Sequence, residues 1–67
     1  MKTFGCRLKE VREAKGITQK NLAEYLHLRN TTISNWENDM GEPPYETLKK
    51  ICRYFEVSAD FLLGLED

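Results

Sequence analysis

Short hydrogen-bonding side chains cluster in the sequence NTTISN at residues 30–35. Asn30, Thr31, Ser34 and Asn35 have the spacing i, i+1, i+4 and i+5, which places them on one side of a helix. Amide and hydroxyl groups can hydrogen-bond base edges in the DNA major groove, and an α-helix fits that groove. A face that only meets solvent is the alternative interpretation, but the cluster holds neither Lys nor Glu. We therefore predict that these four residues contact DNA bases.

The spacing of apolar residues predicts the helices that hold this cluster. Apolar residues recur at helical spacing, and no segment alternates with the two-residue period of strands. We predict an all-α fold of five helices, the fourth at about residues 45–55 and the fifth ending near Gly64. Gly16 is expected to end the first helix, and Thr18 and Ser58 to cap the second and the fifth. The residues predicted to face inward from the first four helices are Phe4, Leu8, Val11, Ala14, Leu22, Ala23, Leu26, Ile33, Trp36, Glu37, Leu48, Ile51, Cys52 and Phe55.

The segment at about residues 18–38 reads as two short helices joined by a tight corner, with Leu28 anchoring that corner. A second helix that carries base-reading side chains after such a corner is typical of a helix-turn-helix DNA reader. Pro43 and Pro44 exclude a continuous helix beyond this segment, although proline suits the start of the next one.

Length and composition limit the chain to one small domain, residues 1–67. A domain of this size buries only about 60% of the surface that its unfolded chain exposes, so an enclosed active site has little room. No Ser-His-Asp, Cys-His or paired-carboxylate arrangement is visible, and we expect no enzyme activity, cofactor or small-molecule ligand. Cys6, Cys52 and the single His27 do not have metal-ligand spacing. No apolar run resembles a membrane span or a secretory signal, so a cytoplasmic protein is expected.

Charge is distributed unevenly along the chain. Residues 1–30 hold seven Lys and Arg against three acids, a net of +4, whereas residues 31–67 hold three against eight, a net of −5. Such an asymmetry favours a charged partner, and a basic half suits nucleic acid. The acidic half favours an alternative, namely a protein-interaction module that does not bind DNA.

Three segments together resemble the phage-repressor helix-turn-helix family, the group of lambda repressor, Cro and the Xre-like regulators. They are LKEVREAKGITQKNLAEYL, TTISNWEN and PPYETLKKICRYFEVSADFLLG, in the family's order and spacing. The resemblance covers nearly the whole chain. It implies a compact five-helix, lambda-repressor-like domain that binds double-stranded operator DNA as a homodimer, most often as a repressor.

The resemblance also implies roles for residues around the base-reading face. Gln19 and Asn38 match family positions that contact the DNA backbone, although Asn38 can equally cap the end of its helix. The positive end of the second helix also favours an anion near Gln19. Arg12 and Glu37 match a structural ion pair between the first and third helices. The full set of predicted phosphate contacts is Gln19, Lys20, Arg29, Thr32 and Asn38. In the alternative for Thr32, its side chain packs against the second helix.

Four departures from the family pattern affect these expectations. His27 stands where glycine is common, so the corner is expected to differ in detail. Arg29 replaces the usual hydroxyl cap of the third helix; either Arg29 is available for a phosphate, or Asn30 becomes the cap and is lost as a base reader. Asp39 stands where glycine is common, and Asp39 and Glu42 place acids in a loop that is often basic. Two acids near phosphates would weaken DNA binding.

The C-terminal segment has more apolar residues than its own short helix can bury. Phe61 and Leu62 are predicted to face the core, which leaves Leu63 and Leu65 without an internal place. A small monomer rarely leaves such a patch unused. We predict a two-fold dimer seam of Leu63, Leu65 and Tyr54, which would bind a palindromic operator with recognition helices about 34 Å apart. In the alternative, these leucines lie against their own domain in a frayed C-terminus.

Overall fold

The chain forms five helices in the computed structural model, which describes residues 2–66. These residues contain no strand, so the predicted all-α fold is confirmed. None of their helices is both long enough and apolar enough to cross a bilayer. In chain order the helices are α1 (Phe4–Ala14), α2 (Gln19–Leu26), α3 (Asn30–Glu37), α4 (Tyr45–Phe55) and α5 (Ala59–Leu62).

Local sequence signals set most helix boundaries. The Thr18 hydroxyl accepts a hydrogen bond from the Asn21 backbone N–H at 3.0 Å, and the Asn21 side chain accepts one from the Thr18 N–H at 3.3 Å. This reciprocal pair is a capping box that satisfies two otherwise unpaired donors. Ser58 caps α5 in the simpler way, through the N–H of Phe61 at 3.0 Å. Gly16 follows α1 with a φ of 70°, a left-handed conformation that glycine adopts without strain. All three predicted signals are confirmed.

Ten apolar side chains from all five helices form one core. Two predictions about the interior are wrong. Ala14 is exposed, and Arg12 is the residue of the last turn of α1 that is buried beside Val11. Leu28 is 38% exposed, and the corner is instead closed by the backbone, where the Leu28 N–H donates to the Ala23 carbonyl at 2.8 Å. The buried core residues are Leu8, Val11, Leu22, Ala23, Leu26, Ile33, Trp36, Ile51, Phe55 and Leu62.

The start of α1 lies directly against the C-terminal end of α3. A Cβ atom added at Gly5 would lie 2.4 Å from the carbonyl oxygen of Trp36 and 2.9 Å from that of Glu37. Both neighbours are backbone atoms, so a side chain at this position would force the two helices apart. The lack of a side chain at Gly5 therefore allows the close contact that fixes where α3 ends.

Three non-glycine residues adopt a left-handed backbone at helix ends: His27 with φ 58°, Asp39 with φ 59° and Glu56 with φ 58°. Each such residue costs roughly 1–2 kcal/mol relative to glycine. The expectation that His27 alters the corner is wrong, because the chain keeps the left-handed turn despite the side chain. Its closing bonds, from the N–H groups of residues 27 and 28 to carbonyls in the last turn of α2, hold the turn in place.

Candidate nucleic-acid interface

One side of α3 is largely open to solvent and carries the predicted base readers. Asn30, Thr31 and Asn35 are exposed, and Ser34 is half-buried between them. The opposite side is buried through Ile33, Trp36 and Glu37. The structure therefore brings the four predicted residues together on one polar surface that is held on a packed helix.

The start of α3 has no side-chain cap. Arg29 is the capping residue, with extended backbone (φ −80°, ψ 148°), and no side chain accepts from the first turn. Asn30 is the first residue inside the helix, so the alternative in which Asn30 becomes the cap is wrong. Its carboxamide is therefore not used as the cap. Arg29 and the uncapped N–H groups of the first turn together make this end of α3 electropositive.

Arg12 and Glu37, predicted as an ion pair, meet in the interior between α1 and α3. Arg12 Nε and Nη2 donate to the two carboxylate oxygens of Glu37 at 2.6 and 3.1 Å, and Nη1 donates to the Ile17 carbonyl at 2.8 Å. Both residues are only 8% exposed. The hydrogen bond that Arg12 donates to Glu37 raises the pKa of the guanidinium, and this outweighs the effect of burial, which lowers that pKa. Arg12 therefore keeps its charge inside the domain.

Gln19 extends this buried network to the surface at the start of α2. Its Nε2 donates to Glu37 Oε1 at 3.0 Å, and its side chain is half-buried. A carboxamide nitrogen carries two donor hydrogens, so one remains for a further acceptor. The sequence did not indicate this contact, because nothing local relates positions 19 and 37. Of the other predicted phosphate contacts, Lys20 and Arg29 are exposed and Thr32 is half-buried.

Asn38 performs the capping role that the sequence left open. Its Nδ2 donates to the Ser34 carbonyl at 2.9 Å, and its backbone N–H lies 3.1 Å from the carbonyls of Ser34 and Asn35. The side chain is exposed. The cap fixes the carboxamide beside the base-reading face, and its contact with the DNA backbone stays a prediction.

The two acids of the loop after α3, which were predicted to lie near phosphates, are both exposed but have different surroundings. The Asp39 carboxylate accepts hydrogen bonds from the Thr3 hydroxyl at 2.9 Å and from the Gly5 N–H at 3.2 Å. It therefore faces the N-terminal end of α1, where the helix dipole favours a negative charge. Glu42 is exposed and lines a cleft with Pro43.

The C-terminal segment divides between the core and the surface. Leu62 is fully buried, and Phe61 is half-buried beneath the Arg7 guanidinium, 4.3 Å from the ring centroid. Leu63 and Leu65 are 48% and 73% exposed. The leucines predicted to be spare are therefore open to solvent.

The structure separates Tyr54 from the leucines with which the seam was predicted. Leu63 lines an apolar cleft with Phe4, Tyr45 and Leu48, and Tyr54 is not among the residues of that cleft. Tyr54 instead stacks on Tyr25 of α2, with ring centroids 4.1 Å apart. A seam that uses all three residues would have to extend over both sides of α4.

Comparison with known proteins gives consistent matches. The helix-turn-helix family matches residues 8–62. The HTH-type transcriptional regulator ImmR of Bacillus subtilis (strain 168) is 43% identical over 65 residues, which cover 97% of this chain and 51% of ImmR. The HTH-type transcriptional activator BcrR of Enterococcus faecalis is 42% identical over 64 residues, which cover 96% of this chain and 31% of BcrR. The chain thus spans about half of ImmR and about a third of BcrR.

Among solved structures, the P22 c2 repressor protein in complex with synthetic operator 9T superposes with a TM-score of 0.90. The two chains are 29% identical, and the superposition covers 98% of this chain and 100% of that one. The agreement extends over all five helices, since α1 to α5 lie within residues 4–62.

Replacing Arg12 with Met should lower the free energy of unfolding by about 3–5 kcal/mol, because Glu37 keeps a buried charge without its partner. The double substitution Arg12→Met/Glu37→Leu should recover most of this loss, because no unpaired charge then remains. Urea unfolding followed by Trp36 fluorescence measures both. Lys49→Met is the matched control; it breaks the exposed pair with Glu46 (3.3 Å) and should change stability by less than about 1 kcal/mol. Equal losses in the single and double variants would contradict the argument.

Proposed function

This chain belongs to the helix-turn-helix family, and we propose that it is a sequence-specific, double-stranded DNA-binding transcriptional regulator, acting as a repressor in the cytoplasm. The observation that carries the proposal is the exposed polar side of α3, which a packed helix presents as one surface. The likeness to a repressor whose structure was solved on its operator supports the same use of this surface. No catalytic step is proposed.

Base reading in this proposal rests on Asn30, Thr31, Ser34 and Asn35. A carboxamide can form two hydrogen bonds with the N6 and N7 edge of adenine, and the methyl group of Thr31 can contact a thymine methyl. Two carboxamides on one face therefore favour adenine-containing steps in each half-site. Neither the Asn30 nor the Asn35 side chain forms a capping hydrogen bond, so both carboxamides are available for bases.

Backbone contacts in this proposal surround the reading face. Lys20 at the start of α2 and Arg29 before α3 supply positive charge, while Gln19, Thr32 and Asn38 supply hydrogen bonds. Phosphate contacts of this kind set orientation and affinity, whereas base contacts set sequence preference. The Gln19 carboxamide is already held by Glu37 at 3.0 Å, so a phosphate would meet a donor that needs little further ordering.

Assembly in this proposal uses the end of the domain formed by α4 and α5. Leu63 and Leu65 are exposed, and Tyr45 beside Leu63 is 84% exposed. A two-fold seam here would bury all three, with Tyr54 at its margin. Two copies would then present their α3 helices to half-sites of a palindromic operator about one DNA turn apart, ~34 Å.

A second candidate is a protein-interaction module of the same fold that does not bind DNA. The acidic net charge of residues 31–67 and the exposed apolar side chains near α5 favour it. Selection of duplexes from a random-sequence pool, followed by an electrophoretic mobility shift in a salt series, separates the two. A DNA regulator enriches a sequence and loses affinity steeply with salt, whereas the interaction module does neither.

Asn35→Ala should flatten the base preference at one position of each half-site and cost about 1–3 kcal/mol on the selected duplex. Binding to a scrambled duplex should stay unchanged, because that binding depends on phosphates. Asn30→Ala should act in the same way at a different position. A repeated selection with each variant measures the preference. Equal loss on every sequence would assign the altered residue to the DNA backbone instead.

Lys20→Ala and Arg29→Ala should each reduce the slope of log affinity against log salt by about 1 in magnitude, because each removes one phosphate neutralisation. Binding isotherms at several salt concentrations measure the slope. Lys50→Ala, which removes an exposed charge of α4, is the matched control and should leave the slope unchanged. Unaltered slopes in both test variants would mean that the basic half of the chain does not form the DNA-binding face.

Leu63→Glu/Leu65→Glu should convert a dimer into a monomer, because the seam would then bury charge without a partner. Sedimentation over a concentration series measures the mass. Met40→Glu alters another exposed apolar side chain (67% exposed) and should leave the dimer intact. A wild-type protein that stays monomeric at high concentration and binds a palindromic duplex without cooperativity would refute the seam.

A further inference from the structure

The two ends of the chain segment that runs from α1 to α3 are joined by one carboxylate. Asp39 follows Asn38, the C-terminal cap of α3. Its two carboxylate oxygens accept hydrogen bonds from the Thr3 hydroxyl at 2.9 Å and from the Gly5 N–H at 3.2 Å. Thr3 in turn accepts from the Cys6 N–H at 3.2 Å as the cap of α1. The turn that follows the candidate reading helix is therefore bonded through Asp39 to the cap of the first helix, across 34 and 36 positions of sequence.

The backbone of Asp39 adopts a conformation that costs more with a side chain than with glycine. Its φ of 59° lies in the left-handed region, where glycine would sit without penalty. The turn itself needs only backbone bonds, from the Asp39 N–H to Trp36 and from the Met40 N–H to Asn35. The turn therefore forms without the Asp39 carboxylate. The carboxylate adds a bridge of hydrogen bonds between the turn after α3 and the start of α1.

The surrounding contacts leave α3 little other freedom at this end. Gly5 allows the α1 backbone to approach the last carbonyls of α3, and an added Cβ there would also lie 2.7 Å from Asp39 Oδ1. The hydrogen bonds of Asp39 and the close approach at Gly5 lie at the same place. This place follows the buried side chains of Trp36 and Glu37 and the helix cap, Asn38. Rotation or sliding of α3 against α1 would break the hydrogen bonds of Asp39 and would separate the backbone of Gly5 from the last carbonyls of α3.

We propose that Asp39 is a positioning residue, which fixes the orientation of α3 against α1 and so sharpens discrimination between DNA sequences without touching DNA. The proposal rests on the proposed function. Base contacts require side chains held within about half an ångström of their productive positions, and α3 is only 8 residues long. A small rotation at its C-terminal end is therefore transmitted to Asn35 and Ser34.

An electrostatic role is the rival explanation, and two substitutions separate it from positioning. Asp39→Asn removes the charge but keeps the bridge, because its oxygen accepts from Gly5 and its nitrogen donates to Thr3; asparagine also tolerates the left-handed backbone. Asp39→Gly removes the charge and the bridge while relieving the strain. A charge that repels phosphate predicts the same gain in affinity on all duplexes from both variants. Positioning predicts that the variants differ.

The experiment measures binding of the full chain to two duplexes, one selected by the wild-type protein from a random pool and one with the same bases scrambled. Asp39→Gly should reduce the affinity ratio between the selected and scrambled duplexes by roughly 3- to 10-fold. Asp39→Asn should retain the wild-type ratio. On the other side of the bridge, Thr3→Val should reduce the ratio and Thr3→Ser should preserve it.

Amide hydrogen exchange provides a readout that does not involve DNA. The Gly5 N–H should exchange faster in Asp39→Gly than in the wild type and should keep its protection in Asp39→Asn. Faster exchange together with an unchanged affinity ratio would overturn the positioning role and leave the proposed function intact. Failure of the wild-type protein to enrich any duplex would overturn both. Equal affinity gains in the Asn and Gly variants would assign Asp39 to electrostatic repulsion.

Discussion

The buried ion pair between Arg12 and Glu37 is the interaction on which the arrangement of the first three helices depends. A guanidinium group carries five donors in one rigid plane, and here that plane contacts α3 through Glu37 and the turn after α1 through the Ile17 carbonyl. Gln19 adds α2 to the same carboxylate. Replacing such a pair by well-packed apolar residues is often neutral or stabilising. Its contribution here is geometric, because only one mutual orientation of the three helices satisfies all four hydrogen bonds.

Polar contacts hold α3 at several points, while apolar packing supplies the bulk of the stability. Ile33 and Trp36 bury one side of the helix in a core of ten side chains. Burial of apolar surface is non-directional, so it does not by itself fix the rotation of a helix about its axis. Hydrogen bonds are directional, and those that join Glu37 and Asp39 to α1 and its cap lie at or just beyond the C-terminal end of α3. The opposite end of α3, at Arg29, has no side-chain cap, so no side chain occupies the first N–H groups of the helix.

The chain places its two candidate interfaces on different helices. The polar side of α3 has short side chains without charge and begins directly after Arg29, whereas the end of the domain near α5 exposes Leu63 and Leu65. Part of the charge asymmetry along the sequence does not reach either surface. Arg12 and Glu37 neutralise each other in the interior. Net charge per half of the sequence is therefore a poor guide to the charge that a ligand would meet.

The sequence by itself determined what depends on neighbours within one or two helical turns. Apolar spacing gave the five helices, Thr18 and Ser58 gave their caps, and the same spacing placed Asn30 and Asn35 on one exposed side of α3. These features follow from periods of three to four residues, which can be counted along the chain. The Arg12–Glu37 pair was anticipated only through resemblance to a family, because no local pattern relates positions 12 and 37.

Only the tertiary structure decided how distant polar groups share partners. It buried Arg12 and left Ala14 exposed, held Gln19 against Glu37, and directed the Asp39 carboxylate to Thr3 and Gly5. It also kept His27 in a left-handed turn that local preference disfavours. In each case the deciding contact joins helices or holds a turn that packing constrains. A polar side chain in solution has many available partners, and the packed helices select one by bringing it within hydrogen-bonding distance.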